Sequence, residues 1–236
     1  MIRTVAETGS TNADLIARLT GGEHVPEGHW LVADRQTAGR GRQGRTWFDG
    51  SGNFMGSTVV HPAPQDPPTH SLSLVAGLAL YEALAGLVAD PSALMLKWPN
   101  DVMLRGAKLC GILLERAGDA VIIGIGVNLA AAPDLPDRET VALADFGPAP
   151  DRDMFAAALA GALDRELERW RSFGLAPLLR RWLAVGTPHG TALCVHEPDG
   201  GRISGLFAGL DAEGTLQLRL DDGAIRAIHA GDVMLA

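Results

Sequence analysis

Residues 39–47 read Gly39-Arg40-Gly41-Arg42-Gln43-Gly44-Arg45-Thr46-Trp47. Three glycines spaced through nine residues disfavour a helix or a strand interior, so the chain must build its elements around a loop here. Trp30-Leu31-Val32-Ala33 reads as the strand entering that loop and Met55 to Val60 as the strand leaving it. The loop's three arginines stand without an acidic residue among them, in a chain whose formal net charge is -8. Guanidinium forks match phosphate and carboxylate oxygens, and glycine lets backbone approach a ligand closely. The segment is a candidate anion-binding loop; an exposed polar loop is the plainer alternative.

The remaining elements set an α+β frame. Ser10-Thr11-Asn12 reads as an N-cap cluster opening a short helix. Residues 72–89 form a mostly apolar run interrupted by Glu82, which suits a buried helix and not a membrane span. Leu94 to Trp98 reads as a strand stopped by the turn Pro99-Asn100-Asp101. Strands are expected at Lys108–Glu115 and Ala120–Leu129, a Pro/Ala-rich connection at 130–150, and helices at Met154–Phe173 and near Ala176–Ala184. After Gly186 short alternating runs are separated by Asp199-Gly200-Gly201, Asp211-Ala212-Glu213-Gly214 and Asp221-Asp222-Gly223, the marks of hairpins in a small β domain. The expected division is 1–186 and 187–236, a mixed sheet with flanking helices and a small β-barrel.

Composition narrows the function. The acidic balance argues against general nucleic-acid affinity. Cys110 and Cys194 belong to no Cys-x-x-Cys pair, and the N-terminus has no apolar signal segment. Buried thiols in a reducing, cytoplasmic setting are expected. The seven histidines show no metal-ligand spacing. Gly39-x-Gly41-x-x-Gly44 matches the dinucleotide fingerprint in letters only, because Arg45 to Gly52 make a poor helix start. A P-loop fails for want of Gly-Lys-Ser/Thr.

Three further segments carry chemistry. Lys97-Trp98-Pro99-Asn100-Asp101 places ammonium, amide and carboxylate at a strand end, which suits phosphate and its Mg²⁺ or simply a capped turn. Lys108 opens an otherwise apolar strand, Lys108-Leu109-Cys110-Gly111-Ile112-Leu113-Leu114-Glu115, and Gly111 in its middle suggests close approach by another group. Gly124-Ile125-Gly126-Val127-Asn128 repeats that signal. The chain's basic residues are eighteen arginines and two lysines, and both lysines, Lys97 and Lys108, fall in these segments. That distribution favours a role arginine cannot fill over compositional drift.

Together and in order, these segments resemble the biotin–protein ligases, whose monofunctional members lack an N-terminal DNA-binding domain. The likeness implies a class II synthetase-like catalytic domain with an SH3-like C-terminal barrel. It implies biotin contacts from Ser10, Thr11, Asn12, Gln36, Gly39, Arg40, Gly41, Arg42, Lys108 and Gly111. ATP or adenylate contacts fall to Arg42, Arg45, Trp47, Lys97, Asn100, Asp101, Ile112 and Asn128, with Lys108, Arg42 and Lys97 as catalytic residues and Asp101 indirectly on Mg²⁺. The implied reaction joins biotin to ATP as biotinyl-5′-AMP, then to a lysine of a biotin carboxyl carrier domain of acetyl-CoA carboxylase or a related carboxylase. Nine residues precede Ser10, so no DNA binding is expected, nor any membrane association. Phe48-Asp49-Gly50 departs from the family's usual Ser-Pro after the tryptophan and should loosen the loop's exit. Mutual repulsion of Arg35, Arg40, Arg42 and Arg45 should keep residues 35–53 mobile until an anion binds. The rivals are a lipoate ligase or acyltransferase of related fold and a non-enzymatic nucleotide-binding regulator. The Ser-Thr-Asn cluster and Gln36 favour a ureido ring over a lipoyl chain.

Overall fold

A computed structural model describes residues 1–196 and 200–235. A seven-stranded mixed sheet carries strands β1 (Ile2–Thr8), β2 (Trp30–Gln36), β3 (Phe54–Val60), β4 (Leu94–Lys97), β5 (Asp101–Leu104), β6 (Ala107–Ala117) and β7 (Ala120–Val127), in the spatial order β1-β2-β3-β7-β6-β5-β4. Only β1 and β2 run parallel, joined by helix α1 (Thr11–Thr20); every other pair is antiparallel. Ser10 caps α1, its hydroxyl accepting from Ala13 N–H. The strands β1 and β5 were not expected from sequence. β1 is an edge strand, largely exposed, so its side chains carry little apolar signal. β5 is four residues squeezed between two turns.

The sheet's period of two sorts its side chains into two cores. Val32, Val60, Ile123 and Ile125 face helices α2 (Leu72–Ala85), α3 (Arg152–Phe173) and α4 (Leu175–Val185) in the main core. Leu31, Val59, Ile122 and Ala117 face the other way, against Leu15 of α1. Helix α2 is apolar round most of its circumference, with Glu82 left at the surface, and α3, α4 and the sheet all pack on it.

Strands β8 (Ala192–His196), β9 (Arg202–Leu210), β10 (Leu216–Arg219), β11 (Ile225–Ile228) and β12 (Asp232–Leu235) form a five-stranded antiparallel sheet, ordered β11-β10-β9-β8-β12. The turn expected at Asp199-Gly200-Gly201 includes Asp199, which lies outside the described residues; the turns at 211–214 and 221–223 are present. Leu193, Val195, Phe207 and Leu216 join the main core, so the apolar cluster runs unbroken into this sheet. Trp98 Nε1 donates to Gly214 O at 3.0 Å and Lys97 Nζ to Val233 O at 2.8 Å. Those bonds carry the strand end of β4 to the C-terminal sheet, and the candidate site lies where the two meet.

Candidate functional site

On the α1 face, the apolar positions of β3, β6 and β7 give way to small and polar ones. Val59, Ile122 and Ala117 share that face with Ser57, Gly124, Gly126, Gly111 and Glu115. Register sets Ser57 beside Gly124 and Gly111 beside Gly126 on adjacent strands. Without side chains there, the sheet leaves a recess that α1 does not fill. The Arg/Gly loop folds over it and encloses a cavity of about 100 Å³.

All three strand glycines expected to receive a close neighbour do so: a Cβ on Gly124 would stand 2.3 Å from Asn12 Oδ1. A Cβ on Gly126 would stand 2.1 Å from Trp47 Cε2, and one on Gly111 would stand 2.8 Å from Trp47 Cζ3. The Trp47 indole thus lies on a floor that no other residue type permits. Its Nε1 is buried without a hydrogen-bond partner, an unmet donor that costs stability. Lys108 Nζ stands 5.8 Å from the ring centroid.

At one end of the cavity a polar web joins three strands and α1. Gln36 Oε1 accepts from Thr11 N–H at 2.8 Å and Thr11 Oγ1 at 3.1 Å. Thr11 Oγ1 and Ser57 Oγ are 2.6 Å apart, and Ser57 Oγ donates to Asn12 Oδ1 at 2.6 Å. Asn12 Nδ2 donates to Glu115 at 2.7 Å. Glu115 also pairs with Arg40 at 3.1 Å. These bonds fix which way the Asn12 amide faces. Ser57 and Glu115 were missed by the sequence reading, since nothing local marks a serine or a glutamate inside a strand.

At the other end stands Asp101, with Oδ2 3.1 Å from Lys97 and Oδ1 2.6 Å from Lys108. All three side chains are buried or nearly so. Burial pushes the Asp101 carboxyl up, but Lys108 and Lys97 outweigh it and hold it below its ordinary value. Arg42 donates to Asn100 Oδ1 at 2.9 Å and Gly231 O at 3.3 Å; burial lowers its pKa. Arg45 meets Asp232 at 2.6 Å, and Arg138 reaches the same carboxylate oxygen at 3.4 Å. Asp232 and Arg138, from strand β12 and the 130–142 connection, were also missed, because sequence spacing carries no hint of their approach.

The cavity wall unites Ser10, Thr11, Asn12, Gln36, Arg40, Gly41, Arg42, Arg45, Trp47, Asn100, Asp101, Lys108, Gly111 and Ile112. Three expected site residues stand outside it. Gly39 faces Gln36 and Trp47 O. Lys97 sits behind Asp101. Asn128 turns its amide to Val141 O at 3.2 Å, leaving Oδ1 buried and unpaired.

Two expectations about the loop need correction. Its arginines do not face one another unopposed: Arg35 pairs with Glu7 and Asp49, Arg40 with Glu115, Arg45 with Asp232, and Arg42 with two oxygens. An anion entering the cavity competes with existing partners instead of cancelling a repulsion. Nor is the exit loosened by Asp49-Gly50. Asp49 Oδ1 accepts from Gln36 N–H at 2.9 Å. A Cβ on Gly50 would stand 2.3 Å from Asn53 Nδ2, so glycine is needed for the tight turn. Asn53, buried, accepts from Ala130 and Ala131 N–H and donates to Ala131 O.

Residues 10–128 match the Biotin/lipoate A/B protein ligase family, and residues 195–235 match the Biotin protein ligase C terminal domain. The chain belongs to that family. It is 39% identical to the biotin–[acetyl-CoA-carboxylase] ligase of Mycobacterium tuberculosis over 98% of its length and 87% of the relative's. To the enzyme of that name from Paracoccus denitrificans it is 40% identical, over 91% and 92%. Its fold is similar to a biotin protein ligase from Aquifex aeolicus solved with biotin and ATP, at a TM-score of 0.86 and 28% identity, covering 100% of this chain and 98% of that one. The recess joins a polar end, a glycine floor covered by Trp47 and a cationic end in one enclosure.

Proposed function

We infer that this protein is an ATP-dependent biotin–protein ligase, with residues 1–186 as the substrate-binding portion and 187–236 closing it through 231–233. The observation that carries the reading is the single cavity drawing Thr11, Gln36, Arg42, Asp101 and Lys108 from five separated segments. Five cations line it, Arg40, Arg42, Arg45, Lys108 and Arg138, against two carboxylates, Asp101 and Asp232. In an acidic protein that excess of positive charge suits a nucleotide polyphosphate and a carboxylate together.

The web of Thr11, Asn12, Gln36 and Ser57 offers donors and acceptors on adjacent atoms, as a ureido ring requires. A lipoyl chain would leave those groups unpaired. Lys108, between that web and Asp101, stands where the biotin carboxylate meets the α-phosphate. Two unit charges ~4 Å apart repel by ~4 kcal/mol at an effective dielectric near 20, and the ammonium offsets that cost as the carboxylate oxygen attacks phosphorus and pyrophosphate departs. A carrier-domain lysine amine then attacks the acyl carbon, loses its proton and expels AMP. Positioning and charge supply most of the rate.

The donor set suits Mg²⁺ held mainly by nucleotide phosphates, because among the described residues no three acidic, histidine or cysteine side chains gather. Asp101, a carboxylate in the cavity wall already held by Lys97 and Lys108, would meet it only indirectly, and the ion would withdraw charge from the phosphates.

The test is incubation with biotin, MgATP and a biotin carboxyl carrier domain, reading acceptor mass. Addition of one biotinyl group, dependent on Mg²⁺, is expected. Mass gain from lipoate and none from biotin overturns the substrate; ATP binding without pyrophosphate release overturns the enzyme. The loop should also be cut more slowly by protease once biotinyl-adenylate displaces its internal partners.

A further inference from the structure

Arg138 lies in the 130–142 connection, far in sequence from the Arg/Gly loop, yet its side chain is only 11% exposed. It lines the same cavity as Arg42, Arg45 and Lys108. Backbone bonds hold its segment to the lysine strand: Lys108 N–H donates to Glu139 O at 2.9 Å and Val141 N–H to Lys108 O at 3.0 Å. Arg138 is thus registered against Lys108 by main chain, not by a flexible tether. Its Nη2 donates to Asp137, and also to Asp232 Oδ2, the oxygen that Arg45 Nη2 approaches. Two guanidinium groups from separate segments converge on one anionic oxygen.

A guanidinium buried to this extent needs an anion. Asp137 serves from the solvent side, 56% exposed. On the cavity side the partner is Asp232, placed on the C-terminal sheet where a ligand oxygen would meet both arginines. The cavity's opposite end, with Asn12 and Glu115, is the polar web. Lys108, on Asp101, stands at the arginine pair's end.

We propose that Arg138, with Arg45, binds the terminal phosphates of the nucleotide and the pyrophosphate they become, and that Asp232 holds the two guanidinium groups in their place until the phosphate arrives. The proposal rests on the ligase reading for the identity of the nucleotide. Its chemistry is narrower: a polyphosphate oxygen replaces a carboxylate oxygen between two arginines, the geometry for which guanidinium forks are suited.

Calorimetric binding of inorganic pyrophosphate to the full chain tests the site directly, alongside ATP KM and biotin Kd. Arg138→Gln should weaken pyrophosphate and raise the ATP KM about tenfold, with biotin Kd within twofold. Arg138→Lys should fall between, and circular dichroism confirms its fold. Asp232→Asn should tighten pyrophosphate, because it frees both arginines. If Arg138→Gln binds pyrophosphate within twofold of wild type, the proposal fails. It also fails if Asp232→Asn weakens binding as much as Arg138→Gln, for the pair is then a structural tie. A wild type that binds pyrophosphate through Arg138 but makes no biotinyl-adenylate defeats the ligase reading and leaves the phosphate site standing.

Discussion

Two buried carboxylates in this molecule each sit between two cations, and they are built differently. Glu166 on α3, with a side-chain exposure of 0%, takes bonds at 2.5 Å from Arg169 and at 2.5 and 2.6 Å from Arg181. Both oxygens are satisfied, and the arginines, 47% and 41% exposed, reach solvent. Asp101 has lysines that are 8% and 16% exposed, one on each oxygen, at 3.1 and 2.6 Å. The first cluster is finished: it fastens α3 to α4. The second is enclosed: each carboxylate oxygen faces one lysine, and neither lysine reaches solvent as the arginines do. Loss of the first carboxylate leaves cations that can rehydrate; loss of the second leaves cations that cannot.

Asp101→Asn should break this contrast most severely. It leaves Lys97 and Lys108 buried without a counter-charge and costs about 3–5 kcal/mol of stability, read by urea unfolding, with adenylate formation lost. Next comes lysine chemistry. Lys108→Arg should keep its circular dichroism and lose adenylate formation on the order of 10²-fold, since a planar guanidinium moves either carboxylate or phosphate by about 1 Å. Lys97→Arg should act mainly on ATP. If both run within a few-fold of wild type, the lysines are interchangeable with arginine and the contrast with Arg181 dissolves.

At the finished cluster, Glu166→Gln should cost about 2 kcal/mol, below the range for a fully buried pair because both arginines can rehydrate. Its adenylate formation per folded molecule should equal wild type; a changed ATP KM would tie this cluster to the site. The smallest effect is acid sensitivity. Asp101 titrates below its ordinary value of 3.8 in the folded protein. The stability it contributes is complete above that value and is lost as pH falls through the lower folded one. Acid unfolding should therefore be steeper for wild type than for Asp101→Asn.

The contrast also explains what the sequence made legible. The lysines stood out because arginine fills the other basic positions, and Gly111 and Gly126 because glycine weakens a strand unless something lies on it. Both signals come from residues that break a local rule. Glu115, Ser57, Asp232 and Arg138 break none: a glutamate near a strand end and an arginine in a proline-rich connection are ordinary in sequence, and only the sheet order and the docking of β12 bring them to the cavity. The helices were legible from their caps and apolar runs. β1 was not, because an exposed edge strand leaves no apolar stripe. Cys110, expected buried, is so, and burial pushes its thiol well up, away from reactivity.

Asn53 has a wider consequence. One amide satisfies three backbone groups of residues 130 and 131, while its Nδ2 bounds the turn at Gly50. The Arg/Gly loop and the connection bearing Arg138 are therefore hinged on the same pin. Any tightening of ATP binding that biotin produces through this pin must be returned, factor for factor, as tighter binding of biotin in the presence of ATP.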